Sequence, residues 1–221
     1  MFLPVLVFVG LSLMPPASAP DLQKPSMPVQ KAAGAVEWPD PAGDVERQNT
    51  SGGKRPGFDL VKLAITSDGT ALTIAATLAA PPKGSFASDV VTLYIDTDNN
   101  PKTGFPTVWS EQPGFELRSE LSLCIEYADG AEACSGAFGS KVKGYYSTIN
   151  FGRLVDSMNV KDFYKPFKSP KGMVQGPVLT ASVPYADLGV KPGQTIRVLA
   201  RETDGPFDAR ADFPVVLFTL K

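Results

Sequence analysis

Residues 91–105, VTLYIDTDNNPKTGF, run an alternating apolar stretch straight into a knot of oxygen-bearing side chains. Asp96, Asp98, Asn99 and Asn100 crowd carboxylate and amide oxygens together, and no sulfur or imidazole accompanies them. Hard oxygens at this density suit Ca²⁺, which takes roughly six to eight oxygen ligands at about 2.3–2.6 Å. The spacing is not that of an EF-hand. Counting from Asp96, the sixth position is Pro101 rather than glycine and the twelfth is Thr107 rather than glutamate, so flanking helices are not required. The same residue types also build ordinary polar turns, and that reading stays open beside the cation site.

The chain of 221 residues contains no histidine. That removes His-based acid–base catalysis, Ser-His and Cys-His nucleophiles, imidazole zinc sites and haem held by histidine. Acid–base chemistry would fall to carboxylates such as Glu116, Glu120 and Glu126. They lack a recognisable acid–base motif and match what any solvated strand face carries, so no catalytic residue is assigned. With 21 basic and 23 acidic residues the net charge is −2, which offers no basic field for nucleic acid.

The elements that must position the oxygens are strands. Val91, Leu93 and Ile95 alternate with Thr92 and Tyr94, the period of a strand with one buried face, and Pro101 and Gly104 end it. Residues 58–65 and 71–78 form a hairpin around Asp68-Gly69. The longest alternation, 117–127, places Leu117, Leu121, Leu123, Ile125 and Tyr127 on one face and Arg118, Glu120, Ser122, Cys124 and Glu126 on a wet one. It turns at Ala128-Asp129-Gly130, where a three-residue loop ending in glycine sets Tyr127 opposite Ala131, Glu126 opposite Glu132 and Cys124 opposite Cys134. In that register the two cysteines form a non-hydrogen-bonded pair, the closer kind of cross-strand site, and an exported chain with only these two would join them. Further strands are read at 145–151, 178–183, 195–202 and 213–220, with a short helix at 154–160 and a single helical turn at 184–189. Residues 161–171 read as a basic, aromatic loop in which Tyr164 could meet an anionic or sugar-like ligand, or fold onto the core with its neighbours. Many strands and almost no helix make this an all-β protein, an antiparallel, jelly-roll-like β-sandwich.

Residues 1–19 form a short apolar run ending in Ala17-Ser18-Ala19, the pattern of an export signal cleaved by signal peptidase. It is too short and too interrupted by proline for a permanent membrane span. Residues 20–35 read as a flexible leader, and 36–221 as one sandwich domain in a secreted or periplasmic protein. The frame around Trp38-Pro39-Asp40-Pro41 does not read as a central strand.

The chain resembles the secreted β-sandwich domains related to family 9 carbohydrate-binding modules and to DOMON domains. The resemblance is carried by Trp38-Pro39-Asp40-Pro41-Ala42-Gly43-Asp44, by Phe58-Asp59-Leu60, and by Tyr94-Ile95-Asp96-Thr97-Asp98-Asn99-Asn100 with Thr103-Gly104. Gly114-Phe115-Glu116, and Val183-Pro184-Tyr185-Ala186-Asp187-Leu188-Gly189 with Pro192-Gly193, complete it. It implies a structural Ca²⁺ held by Asp96, Asp98, Asn100 and Glu116, with Asp40 or Asp44 completing the shell. It further implies a sugar stacked on an exposed ring, for which Trp109 is the candidate, while Trp38 either stacks or packs in the core. Haem-binding relatives use His and Met ligands, and no haem is expected in a chain without histidine. The function implied is a non-catalytic, calcium-stabilised module that binds carbohydrate or a cell-envelope glycan. The alternatives are a structural protein that docks another exported protein, and a carboxylate-based glycan-active enzyme.

Overall fold

A computed structural model describes residues 30–43, 59–83, 88–105, 114–134, 142–154, 164–166, 172–202 and 213–221. The first strands are β1 (Gln30–Ala33), β2 (Ala35–Pro39), β3 (Leu60–Ser67), β4 (Ala71–Leu78) and β5 (Ser88–Asp96). They are followed by β6 (Leu117–Tyr127), β7 (Glu132–Ala133), β8 (Val142–Leu154), β9 (Tyr164–Pro166), β10 (Met173–Gln175) and β11 (Val178–Pro184). A single helical turn, α1 (Tyr185–Leu188), precedes β12 (Thr195–Glu202) and β13 (Val216–Thr219). The architecture is an all-β sandwich. No helix among the described residues is long and apolar enough to cross a membrane.

Hydrogen bonding follows one continuous path, β10-β11-β4-β3-β2-β1-β13-β12-β5-β6-β8-β9, with β7 beside β6. The path folds into two layers at Gly34, where β1 and β2 share only the pair Ala33↔Ala35. One layer is β10-β11-β4-β3-β2 and the other is β1-β13-β12-β5-β6-β8-β9. Alternation then decides what lies between them. Leu72, Ile74, Ala76 and Leu78 of β4 and Leu179, Ala181 and Val183 of β11 face Leu93 and Ile95 of β5, Leu117, Leu121 and Leu123 of β6, and Phe218 of β13 in one buried cluster. Burying each large aliphatic side chain contributes about 1.5–3 kcal/mol. Along the far side the layers also meet through hydrogen bonds, with Ser147 Oγ donating to Met173 O at 3.1 Å and Gly172 N donating to Ser147 O at 2.7 Å.

The structure changes several expectations. Chain expected to belong to a flexible leader enters the fold at Gln30, because the edge of β13 gives β1 a ladder that its own side chains do not announce. Trp38 and Pro39 lie in β2, between β3 and β1. Proline is tolerated there as the last residue of the strand. Trp38 is buried against Phe213, ring centroids 5.7 Å apart, so it packs in the core. The outer face of β6 is not wet: Ser122 and Cys124 are fully buried, and Arg118 and Glu120 are largely withdrawn from solvent. Tyr164 begins an edge strand opposite Leu154 instead of standing in a loop. Leu154 ends β8, and the rest of the expected helix at 154–160 lies outside the described residues.

The expected hairpin register holds. Tyr127 N donates to Ala131 O at 2.8 Å, Glu126 pairs with Glu132, and Cys124 and Cys134 are joined by a disulfide with their Cα atoms 4.2 Å apart. Tyr146, opposite Cys124 on the next strand, brings its hydroxyl to 3.3 Å from Cys134 Sγ. Burial and the nearby Glu132 and Glu126 carboxylates push that phenol up to about 12.

Candidate functional site

The site is built where β5 ends. Asp96, its last residue, is fully buried, a position that costs a carboxylate several kcal/mol unless it is paired. Its partner comes from β12, where Arg197 stands directly opposite and donates Nε–H to Asp96 Oδ2 at 2.9 Å. Arg197 Nη2 donates to Gly114 O at 2.8 Å, and the guanidinium lies over the Phe115 ring at 4.6 Å. Phe115 is there because residues 97–105 and 114–116 lie against the outer face of the sheet, pinned by mutual backbone hydrogen bonds between Phe105 and Phe115. This packing buries Tyr94, Phe115, Leu154 and Leu199 in a small second core. Both faces of β5 are therefore covered.

The loop aims its oxygens through its own main chain. Asn99 takes the left-handed conformation, φ 54°, which asparagine tolerates, and Asn100 N–H reaches Asp98 Oδ1 at 2.9 Å and Asp96 Oδ1 at 3.2 Å. Glu116, carried in by the start of β6, accepts Thr97 N–H at Oε2, 2.7 Å away. Thr103 Oγ1 stands between the acids, 2.9 Å from Asp98 Oδ2 and 3.2 Å from Glu116 Oε1. One glycine is dictated by this closeness: Gly104 has φ 68°, and a Cβ there would press on Phe115 O and come within 2.8 Å of Glu116 Oε1.

Carboxylate oxygens of Asp96, Asp98 and Glu116 lie within 4.8 Å of one another, an acidic cluster that could hold a metal ion. These three carboxylates against the single Arg197 guanidinium leave a net charge of −2, which one divalent cation would cancel. Asn100 stands on the same loop. Its backbone N–H supports the acids, while its side-chain Oδ1 accepts Lys102 N–H at 3.1 Å. Asp40 does not join the cluster: it lies past the far end of β2, with its N–H bonded to Val61 O. Asp44 and Trp109 lie outside the described residues, as does the side chain of Tyr164.

Arg197 is the functional residue that the loop motif alone does not reveal. Its signal is a cation set within the apolar run Ile196-Arg197-Val198-Leu199-Ala200, which requires a partner when the strand is central. On the same outer face, Arg201, Thr92, Glu120 and Asn150 stand in one row across β12, β5, β6 and β8. Arg118 Nη2 bonds Glu120 Oε1 at 2.5 Å; Thr92 is buried within this row, while Arg118, Glu120, Asn150 and Arg201 are half-buried. As for carboxylate catalysis, Glu120 and Glu126 are six residues apart on β6, about 20 Å, too far for a glycosidase pair.

Burial, before all else, raises the Asp96 carboxyl above the ordinary 3.8. Asp98 and Glu116 push the same way, against Asn100 N–H and Arg197. At Asp98 partial desolvation is outweighed by hydrogen bonds from Thr103, Asp96 and Asn100, and the group titrates below 3.8. A carboxyl raised in the fold contributes stability that is fully present below the unfolded value and lost as pH rises through the raised one. A lowered carboxyl contributes stability present above the unfolded value and lost as pH falls through the lowered one. In chelator, the Asp96 contribution to stability should therefore decline as pH climbs past 3.8 and through its raised value. Excess cation, which binds the carboxylates, should offset that decline. Thermal melts across pH, with and without chelator, check this, and parallel curves would count against it.

Comparisons with protein-family models, with curated proteins and with solved structures give no match for this chain, so its function is argued from the site itself.

Proposed function

We propose that this chain is an exported, non-catalytic binding module for carbohydrate or a cell-envelope glycan, stiffened by a structural Ca²⁺ held at Asp96, Asp98 and Glu116. The observation that carries the ion is the all-oxygen cluster with a net charge of −2 on a loop already aimed by its own backbone. Oxygen ligands without nitrogen or sulfur favour a hard cation. Among these, Ca²⁺ accepts irregular loop geometry that Mg²⁺ does not. The intramolecular disulfide supports export, since such bonds persist in oxidising compartments.

The glycan reading is supported by Arg201, Glu120 and Asn150, half-buried polar side chains that share the outer face of β12, β6 and β8 with the ion loop and are of the types that bond vicinal hydroxyls. Trp109, within the sequence between the ion loop and Gly114, supplies the ring for stacking. Calorimetry against a glycan panel, with Ca²⁺ and with chelator, tests the whole. Binding is expected to weaken at least about tenfold in chelator and about tenfold in Trp109→Ala, an effect of roughly 1.4 kcal/mol each. No affinity for any glycan, together with a stable exported protein partner in cross-linking, would replace this reading with the docking one.

A further inference from the structure

We infer that Gln30–Ala33 is an exchangeable strand whose fitting partner is a second copy of this chain, entered between that copy's β2 and β13. Three observations converge on β1. Its attachment is almost wholly main-chain: a parallel ladder to β13 from Gln30↔Val216 to Ala33↔Thr219, closed by Gln30 N to Val215 O at 3.0 Å and Gly34 N to Thr219 O at 2.9 Å. Parallel pairing is the weaker kind. Gln30, Lys31 and Ala33 are exposed, and only Ala32 packs, half-buried, against the core. A segment with so few apolar contacts opens at far lower cost than the core strands.

The surface beside it is open. A groove of about 380 Å³ crosses β13 between β1 and the start of β12, lined by Lys31, Ala32, Ala33, Thr195, Leu217 and Thr219. The hinge is a single residue: Gly34, at φ 71°, turns the chain from one layer into the other, and its carbonyl accepts Ser67 N–H at 2.8 Å. Short hinges held in a restricted conformation invite exchange of the element they carry. When the corner opens, Gly34 can extend and residues 30–39 can run as one strand into the neighbour. There β1 meets the same β13 edge it left, so exchange conserves every contact except those at the hinge. Opening also uncovers the β13 edge, and an identical strand fits that vacancy in register, returning Ala32 to its place in the core.

The test uses the full chain with Lys31→Cys and Leu217→Cys, residues paired in the ladder, oxidised over a range of protein concentrations. Non-reducing electrophoresis separates bonds within one chain from bonds between two. Exchange predicts covalent dimer that grows with concentration. It also predicts that Gly34→Ala, which strains the closed corner, raises the dimerisation constant about tenfold or more, as measured by sedimentation. Two glycines inserted after Gly34 relax the corner and should return the chain to monomer. Circular dichroism verifies that each variant folds, and the cysteine trap with native Gly34 decides alone if Gly34→Ala does not. Intrachain bonds at every concentration overturn the inference, whether the chain sediments as a monomer or as a dimer built on another surface.

Discussion

Asp96→Ala is expected to lower the melting temperature in chelator by on the order of 10 °C and to abolish any rise on adding Ca²⁺. Two losses combine. Removing the fully buried carboxylate leaves Arg197, whose side chain is 14% exposed, facing an apolar side chain at its Nε. Breaking a buried pair from one side costs about 3–5 kcal/mol, because the surviving charge stays desolvated. For a chain of this size each kcal/mol corresponds to about 2–4 °C. The Arg197 bond to Gly114 O then loses its anchor, and with it the packing of Phe115 against Tyr94. Asp98→Asn separates the two effects. Asp98 is exposed, and an amide oxygen can keep its bonds to Asn100 N–H and Thr103, so removing this carboxylate should abolish the Ca²⁺ response while costing the chelator melt much less than Asp96→Ala does. A wild-type melt for Asp96→Ala in chelator would mean the Arg197 pair is not structural. A retained Ca²⁺ response would move the ion away from this cluster.

What could be read from the chain divides along sequence distance. The ion loop is legible because Asp96, Asp98 and the turn residues around them are close neighbours, and the disulfide because a three-residue turn fixes which residues of one hairpin face each other. Arg197 is 101 residues from Asp96, and nothing local to either declares the pair. Similarly, Gln30-Lys31-Ala32-Ala33 has no strand-like alternation of large apolar and polar side chains; it is a strand because β13 lends it a ladder. Arg118, Glu120 and Ser122 alternate as a solvated face would, and the pattern is correct about chemistry. It fails on burial, since the packing of Phe105 and Phe115 with Tyr94 and the reach of Tyr146 to Cys134 are tertiary events. Trp38 sits between these cases. Its Pro-rich surroundings argue against a strand, yet pairing with Leu63 and packing on Phe213 override that local preference.

The second large effect is expected at the disulfide. Replacing both Cys124 and Cys134 by alanine should destabilise the fold by about 3 kcal/mol, the loop-closure value for a bridge of this span. Three features make the bridge matter more than its length suggests. β7 is only two residues long, so few ladder bonds hold it to β6. Glu126 and Glu132 face each other two positions along from the bridge, and that like-charge contact opposes closure. Lys143 offsets part of this with an ion pair to Glu126 at 3.4 Å, but both side chains are well exposed and the gain is small. Cys124 itself is fully buried, so alanine also leaves a void where the sulfur packed. The double variant should melt on the order of 10 °C lower than the oxidised chain, and reduction of the native protein should reproduce most of that drop. Reduction spares the packing volume, which makes it the cleaner measure of the covalent constraint. If reduction leaves the melt unchanged, the hairpin is held by its β6 and β8 neighbours alone. The Ca²⁺ response should survive in both cases, because the acids lie at the opposite end of β6 from the bridge.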